Sequence, residues 1–131
     1  MAGKEALPPE SIEEAMAGLP GWRYLDGALV TVYKTPTAAA ALELIAAVGR
    51  LAEEQNHHPD LDWRYNRVFI RYTSHDAGSK VTTRDTRAAA AAGEAAAAVG
   101  AVAEPAKYPA ATEQYSGSLE LNAAFSAAAR R

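Results

Sequence analysis

The chain has 131 residues, of which 49% are apolar, 22% charged and none cysteine, with a formal net charge of −3. Disulfides, thiolate catalysis and cysteine-ligated metals are thereby excluded, and no run approaches the ~18 apolar residues of a membrane span. The acidic balance also runs against the basic surface of a nucleic-acid-binding domain. Alanine supplies 32 residues, and the larger apolar side chains supply another 32, of which 25 fall in residues 1–87. One domain is expected, with a core well stocked to about residue 87 and helix-forming sequence with little to bury after it. The charged first residues carry no signal-peptide stretch. The expectation is a small soluble protein, cytoplasmic, with no membrane or direct nucleic-acid partner.

Ser11 and Glu14 make a capping-box pattern, and Ile12, Ala15, Met16 and Leu19 follow at helical spacing, so a short first helix is predicted, stopped by Gly18 and Pro20-Gly21. Trp22 to Asp26 and Ala28 to Lys34 flank Asp26-Gly27, a strong hairpin signal because a type I′ turn requires positive φ at both central residues. Thr37 opens a helix over Ala38 to Gln55 with an apolar stripe of Ala41, Leu42, Ile45, Val48 and Ala52. Asn56-His57-His58-Pro59-Asp60 ends it, since proline bars its predecessor from the α region. Residues 63–65 and 68–73 alternate as strands around an Asn66-Arg67 turn, with Val68, Ile70 and Tyr72 on one face. A loop over 75–81 leads to Thr82 and Asp85, which open a last helix to about residue 103.

The predicted fold is α+β: a four-stranded antiparallel sheet of two hairpins, three helices packed on one face, and order α-β-β-α-β-β-α. Residues 1–103 form the domain and 104–131 a C-terminal extension, in which Leu121, Ala124, Phe125 and Ala128 form a short amphipathic pattern. The extension is expected to be disordered in part, to pack on a neighbouring subunit, or to cover an exposed sheet edge.

The chemistry concentrates in one stretch. All three histidines, His57, His58 and His75, fall within 19 residues, and imidazole is the side chain best suited to proton exchange near neutrality. Two predicted element ends carry them, so one pocket could receive them all. The plainer alternative is that His57 and His58 merely favour a helix C-terminus. A three-histidine zinc site is chemically feasible, but adjacent helical residues do not share a face and no zinc-protease spacing is present, so no metal is expected.

Glu53, then His57-His58-Pro59, an aromatic Tyr65 six positions on, His75 ten further on and a later Asp85 together resemble the signature of the pterin-4a-carbinolamine dehydratase family. Leu19-Pro20-Gly21-Trp22, Tyr65-Asn66-Arg67-Val68 and Ser74-His75-Asp76-Ala77-Gly78 agree with it in context. The resemblance covers residues 5–103. It implies a lyase that dehydrates 4a-hydroxytetrahydropterin to quinonoid dihydropterin without metal or organic cofactor, in pterin recycling for an aromatic amino-acid hydroxylase. It further implies His57 and His75 as the acid–base pair, with His58 mainly holding the pterin, and a substrate pocket drawn from His57, His58, Pro59, Ser74, His75, Asp76, Ala77 and Trp22. Glu53, one helical turn before His57, would support an imidazole or lie on a solvated face. Asp85 would cap its helix or assist catalysis. Trp22 would pack in the core, with some contact to the pocket.

Two departures from the family stand out. The loop over 78–82 is one residue longer than usual, and residues 104–131 have no assigned counterpart. Homodimers or homotetramers are implied, formed by joining sheets and packing helices. The competing reading is a non-enzymatic relative, a transcriptional dimerisation cofactor or a carboxylase assembly factor; a third is similar chemistry on another heterocycle. The intact histidine set favours the enzyme.

Overall fold

The computed structural model describes residues 4–110. Asp26 and Gly27 adopt φ 47 and 78, the positive values a two-residue hairpin turn demands. They join β1 (Arg23–Leu25) to β2 (Ala28–Lys34) in the antiparallel register Leu25↔Ala28. The second hairpin joins β3 (Asp60–Arg64) to β4 (Arg67–Tyr72). Its turn is Tyr65-Asn66, one residue earlier than predicted, with Tyr65 at φ 54. Asn66 fixes that choice. Its carbonyl accepts from the Thr35 backbone and hydroxyl, and its amide donates to the Thr35 carbonyl at 2.9 Å, which ties the turn to the end of β2.

The hairpins meet antiparallel along β2 and β4, giving the order β1-β2-β4-β3. A short β5 (Val102–Ala103) adds a fifth strand on the β2 edge that β1 leaves uncovered. Three helices join the sheet: α1 (Pro9–Ala17), α2 (Ala38–Gln55) and α3 (Thr83–Ala98). The architecture is the predicted α+β order with one strand added.

Alternation along the strands sorts the two faces. Leu29, Tyr33, Val68, Ile70 and Tyr72 enter the core under the helices. Ala28, Val30 and Val32 point away and pack with Phe69 against Tyr108. Tyr108 lies on a strap that begins with β5, is held by the Glu104 N–H on the Val32 carbonyl at 2.7 Å, and carries an Arg67–Glu104 ion pair. The boundary expected at residue 103 therefore falls within a segment that packs on the sheet. Leu121, Ala124, Phe125 and Ala128 lie outside the described residues.

Several local expectations change. The Ser11–Glu14 box does not form, because α1 starts earlier with Pro9 in its first turn, where a missing N–H costs nothing. On α2 the buried positions are Ala41, Leu44, Val48 and Ala52, whereas Leu42 is 53% exposed. Ala41, Val48 and Ala52 lie on the buried face as predicted and Ile45 packs in part against the core, while Leu44 takes the place expected for Leu42. Helix α3 stops at Ala98, short of 103, and Gly100 at φ 73 turns the chain back toward β2.

The first hairpin also braces the loop over 75–81. Thr73 donates its hydroxyl to the Gly27 carbonyl at 2.7 Å, and a Cβ on Gly27 would stand 2.3 Å from the Ser79 carbonyl oxygen. Gly27→Ala should therefore lower stability by about 2 kcal/mol, combining strained backbone with a clash against main chain. The urea midpoint measures this, and an unchanged midpoint would refute the brace.

Candidate active site

Asp85 occupies the third position of α3. Its Oδ2 accepts from the Thr82 backbone N–H at 2.9 Å, while Thr82 caps the helix in return, so the predicted capping box is present. The same carboxyl group has no solvent exposure and does more than cap. Oδ2 also accepts the Ser74 hydroxyl at 2.8 Å, and Oδ1 accepts His57 Nε2–H at 2.5 Å. Because Ser74 gives its proton to Asp85, the 2.8 Å contact between Ser74 Oγ and Thr82 Oγ1 is donated by Thr82. The helix-cap role expected of Asp85 is present, and the same side chain also bonds the imidazole of His57.

His57 is placed by the chain before and after it. Asn56 adopts the left-handed conformation that closes α2, and the His57 N–H bonds back to the Ala52 carbonyl at 3.0 Å. The ring then stacks on Tyr72 with centroids 6.1 Å apart and planes 15° apart. Trp22 packs on Tyr72 at 5.7 Å and on Tyr33 at 6.0 Å. Trp22 is therefore a core residue that contacts Tyr72, the ring on which His57 stacks. Among the described residues its indole N–H has no hydrogen-bond partner of good geometry; burial raises the Tyr33 phenol, and the nearby indole offsets this only in part.

Glu53 takes His58, not His57. The two side chains are 78% and 57% exposed, so water screens their contact and it adds little to stability. Pro59 leads directly into β3.

His75, Asp76 and Ala77 form a single 3₁₀ turn. His75 is exposed, and its imidazole makes no hydrogen bond among the described residues. Both neighbours of His75 are anchored to the first turn of α3: Ser74 on Asp85, and Asp76 in a two-pronged pair with Arg84 at 3.1 and 2.5 Å. The Arg84 guanidinium holds the Asp76 carboxyl below the usual carboxylate range. With its oxygens taken by Arg84, Asp76 offers a ligand mainly its backbone. Ala77 donates its N–H to the Ser74 carbonyl at 3.1 Å.

The structure thus gathers His57, Ser74, Thr82 and Asp85 into one buried network, sets His75 beside it on an exposed turn, and leaves His58 with Glu53 at the surface. Among the described residues, no three histidine or acidic side chains gather as a metal site, and no helix is long and apolar enough to cross a membrane. Tyr72, stacked on His57, and Arg84, paired with Asp76, are the candidate-site neighbours that motif spacing missed. Tyr72 reads in sequence as one more core-facing strand residue, and Arg84 as an ordinary first-turn cation.

Two expectations follow. Asp85→Ala strips a partner from the Thr82 N–H, the Ser74 hydroxyl and His57 at once, so the stability loss should reach about 3 kcal/mol by denaturant titration. A loss below about 1 kcal/mol would mean a cap alone. Burial also pushes the Tyr72 phenol well above its ordinary 10.0, and that of Tyr33 upward too. The folded state then keeps protons that the unfolded chain releases. Stability is full below pH 10.0 and falls as pH rises beyond it toward the folded values. Melting temperature should hold up to about pH 10 and drop as pH rises beyond it, less steeply in Tyr72→Phe.

The family model described as Pterin 4 alpha carbinolamine dehydratase matches residues 5–95. A relative from Streptomyces coelicolor, named "Putative pterin-4-alpha-carbinolamine dehydratase", is 36% identical over 85 residues, spanning 65% of this chain and 84% of the relative. One of the same name from Acidobacterium capsulatum is 39% identical over 79 residues, 60% of this chain and 85% of its own length. Among solved structures, a transcriptional coactivator/pterin dehydratase from Brucella melitensis superimposes with a TM-score of 0.67 at 28% identity, over 70% of this chain and 99% of that one.

Proposed function

The chain belongs to the pterin 4 alpha carbinolamine dehydratase family, and from that premise we propose that it removes water from a 4a-hydroxytetrahydropterin to give the quinonoid dihydropterin. Elimination requires a proton delivered to the departing C4a hydroxyl and another taken from the adjacent ring nitrogen. Two imidazoles on opposite sides of the bicycle can supply both transfers. The observation that supports this pair is the Asp85 carboxyl, which holds His57 directly and, through Ser74, the turn bearing His75.

The tautomer follows from the partner. With Nε2–H donated to Asp85, Nδ1 is the His57 nitrogen left to exchange a proton with substrate. His75 has neither ring nitrogen engaged among the described residues, so it is able to take the complementary role. His58, beside His57 and tethered to Glu53, is proposed to contact the pterin. Pro59, Ser74, Asp76 and Ala77 complete the rim, the last two through their main chain, and Trp22 contributes from behind Tyr72. The proposed setting is pterin recycling in the cytoplasm.

A second reading, a non-enzymatic interaction protein, draws on the edge strand β3, where Leu61 and Trp63 are 38% and 48% exposed. The same edge is a candidate for self-association, with a homodimer or homotetramer as the proposed state. The deciding experiment is formation of quinonoid dihydropterin from synthetic 4a-hydroxytetrahydropterin. The wild-type chain should accelerate it, and His57→Ala and His75→Ala should each reduce the rate by roughly 10²- to 10⁴-fold. No acceleration by the wild type would sink the enzyme reading in favour of the interaction protein.

A further inference from the structure

Three constraints fix the His57 ring: its backbone bond to Ala52, its Nε2 contact with Asp85, and the face of Tyr72. The first two do not fix the ring plane. A ring can pivot about the line from Cβ to a single hydrogen bond and keep that bond, while its other nitrogen swings away from a substrate. The Tyr72 ring, lying 15° from parallel, blocks this pivot. Tyr72 is itself enclosed: it is 1% exposed at the end of β4, and Trp22 packs on it at 5.7 Å. Burial keeps its phenol neutral across the physiological range, so the face offered to the imidazole is a neutral aromatic one whatever the protonation state of His57.

We propose that Tyr72 is a positioning residue for His57, its aromatic face setting the plane of the imidazole and hence the direction in which Nδ1 meets a ligand. The inference rests on the dehydratase reading for its kinetic consequence but not for its structural one. The ring carries the effect and the hydroxyl does not, which separates Tyr72→Phe from Tyr72→Leu. A misplaced acid–base group lowers the rate of the chemical step while leaving most binding contacts intact.

The test compares these two variants on the full chain, with Val48→Ala as a control for loss of core packing. Val48 is fully buried on α2, in the same apolar cluster as Tyr72, and carries no polar atom of the Asp85 network. Tyr72→Leu should reduce kcat roughly ten- to a hundredfold with KM changed by less than about threefold. Tyr72→Phe and Val48→Ala should retain kcat within about threefold. In parallel, the His57 ring-proton NMR resonances report the stack directly through the ring current of Tyr72. They should move downfield in Tyr72→Leu and stay in place in Tyr72→Phe. Equal losses in the Phe and Leu variants would overturn the proposal, as would full activity of Tyr72→Leu or unmoved His57 resonances in it. If the wild type proves inactive on the pterin, the dehydratase reading fails by itself, and the resonance comparison still decides whether Tyr72 sets the ring.

Discussion

A fully buried carboxyl group with three donors around it is the constraint on which the rest of the site depends. Asp85 satisfies the start of α3, the strand end at Ser74 and the helix exit at His57. These belong to three different parts of the chain, and nothing else described joins all three. A buried acceptor left without donors is expensive, so the three segments are each held to the position that supplies one. Local helix capping and long-range site assembly are thereby the same interaction. This explains why α3 begins where it does: moving the helix start by one residue would withdraw the carboxyl from His57 and Ser74 together.

The abundance of alanine becomes intelligible from the same geometry. Ala88, Ala89, Ala92 and Ala96 form the buried face of α3, and short side chains let the helix lie close enough to the sheet for its first turn to reach β4. A face of leucines would push the axis outward and draw Asp85 away from the strand end. Gly93 sits on that approach; a Cβ there would come within 3.4 Å of the Tyr33 hydroxyl. The low burial capacity of the second half of the chain is thus a condition of close approach. The bulky material comes from the sheet instead, through Leu29, Tyr33, Ile70 and Tyr72. On the far face, the strap through Tyr108 covers Val30 and Val32 with the chain's own residues.

Much of this was readable in advance, for identifiable reasons. Asp26-Gly27, Thr37 and the Thr82–Asp85 box are short-range signals whose partners lie within a few residues, and all three formed. The family motif marked the segments that carry His57, Ser74 and Asp85. The failures were of another kind. Ser11–Glu14 has the letters of a cap, but Pro8 and Pro9 fix the helix start upstream of it. Glu53 has the right spacing for an imidazole one turn on, yet the left-handed Asn56 reorients the chain so that His58 meets it. Strand β5 consists of two residues and owes its existence to an open stretch of β2 edge, which no local pattern encodes. Tyr72 looked like core because it is core; its second contact, with His57, depends on where the end of α2 lands.

The two histidines of the proposed acid–base pair differ in a way that bears on the chemistry. His57 is enclosed, stacked and bonded to a carboxyl group, whereas His75 stands in solvent on a turn anchored only through its neighbours. An enclosed imidazole with one nitrogen donating to a carboxyl group is suited to accepting a proton at the other, because the carboxyl stabilises the cation that forms. An exposed imidazole exchanges freely with water and can be restored to its starting state after each turnover. In the proposed dehydration this arrangement would place the geometrically demanding transfer on His57 and the transfer to the departing hydroxyl, whose product is itself water, on His75. The division follows from burial alone: the ring that must be aimed is the one the fold has fixed, and the ring that must be recharged is the one the fold has left wet.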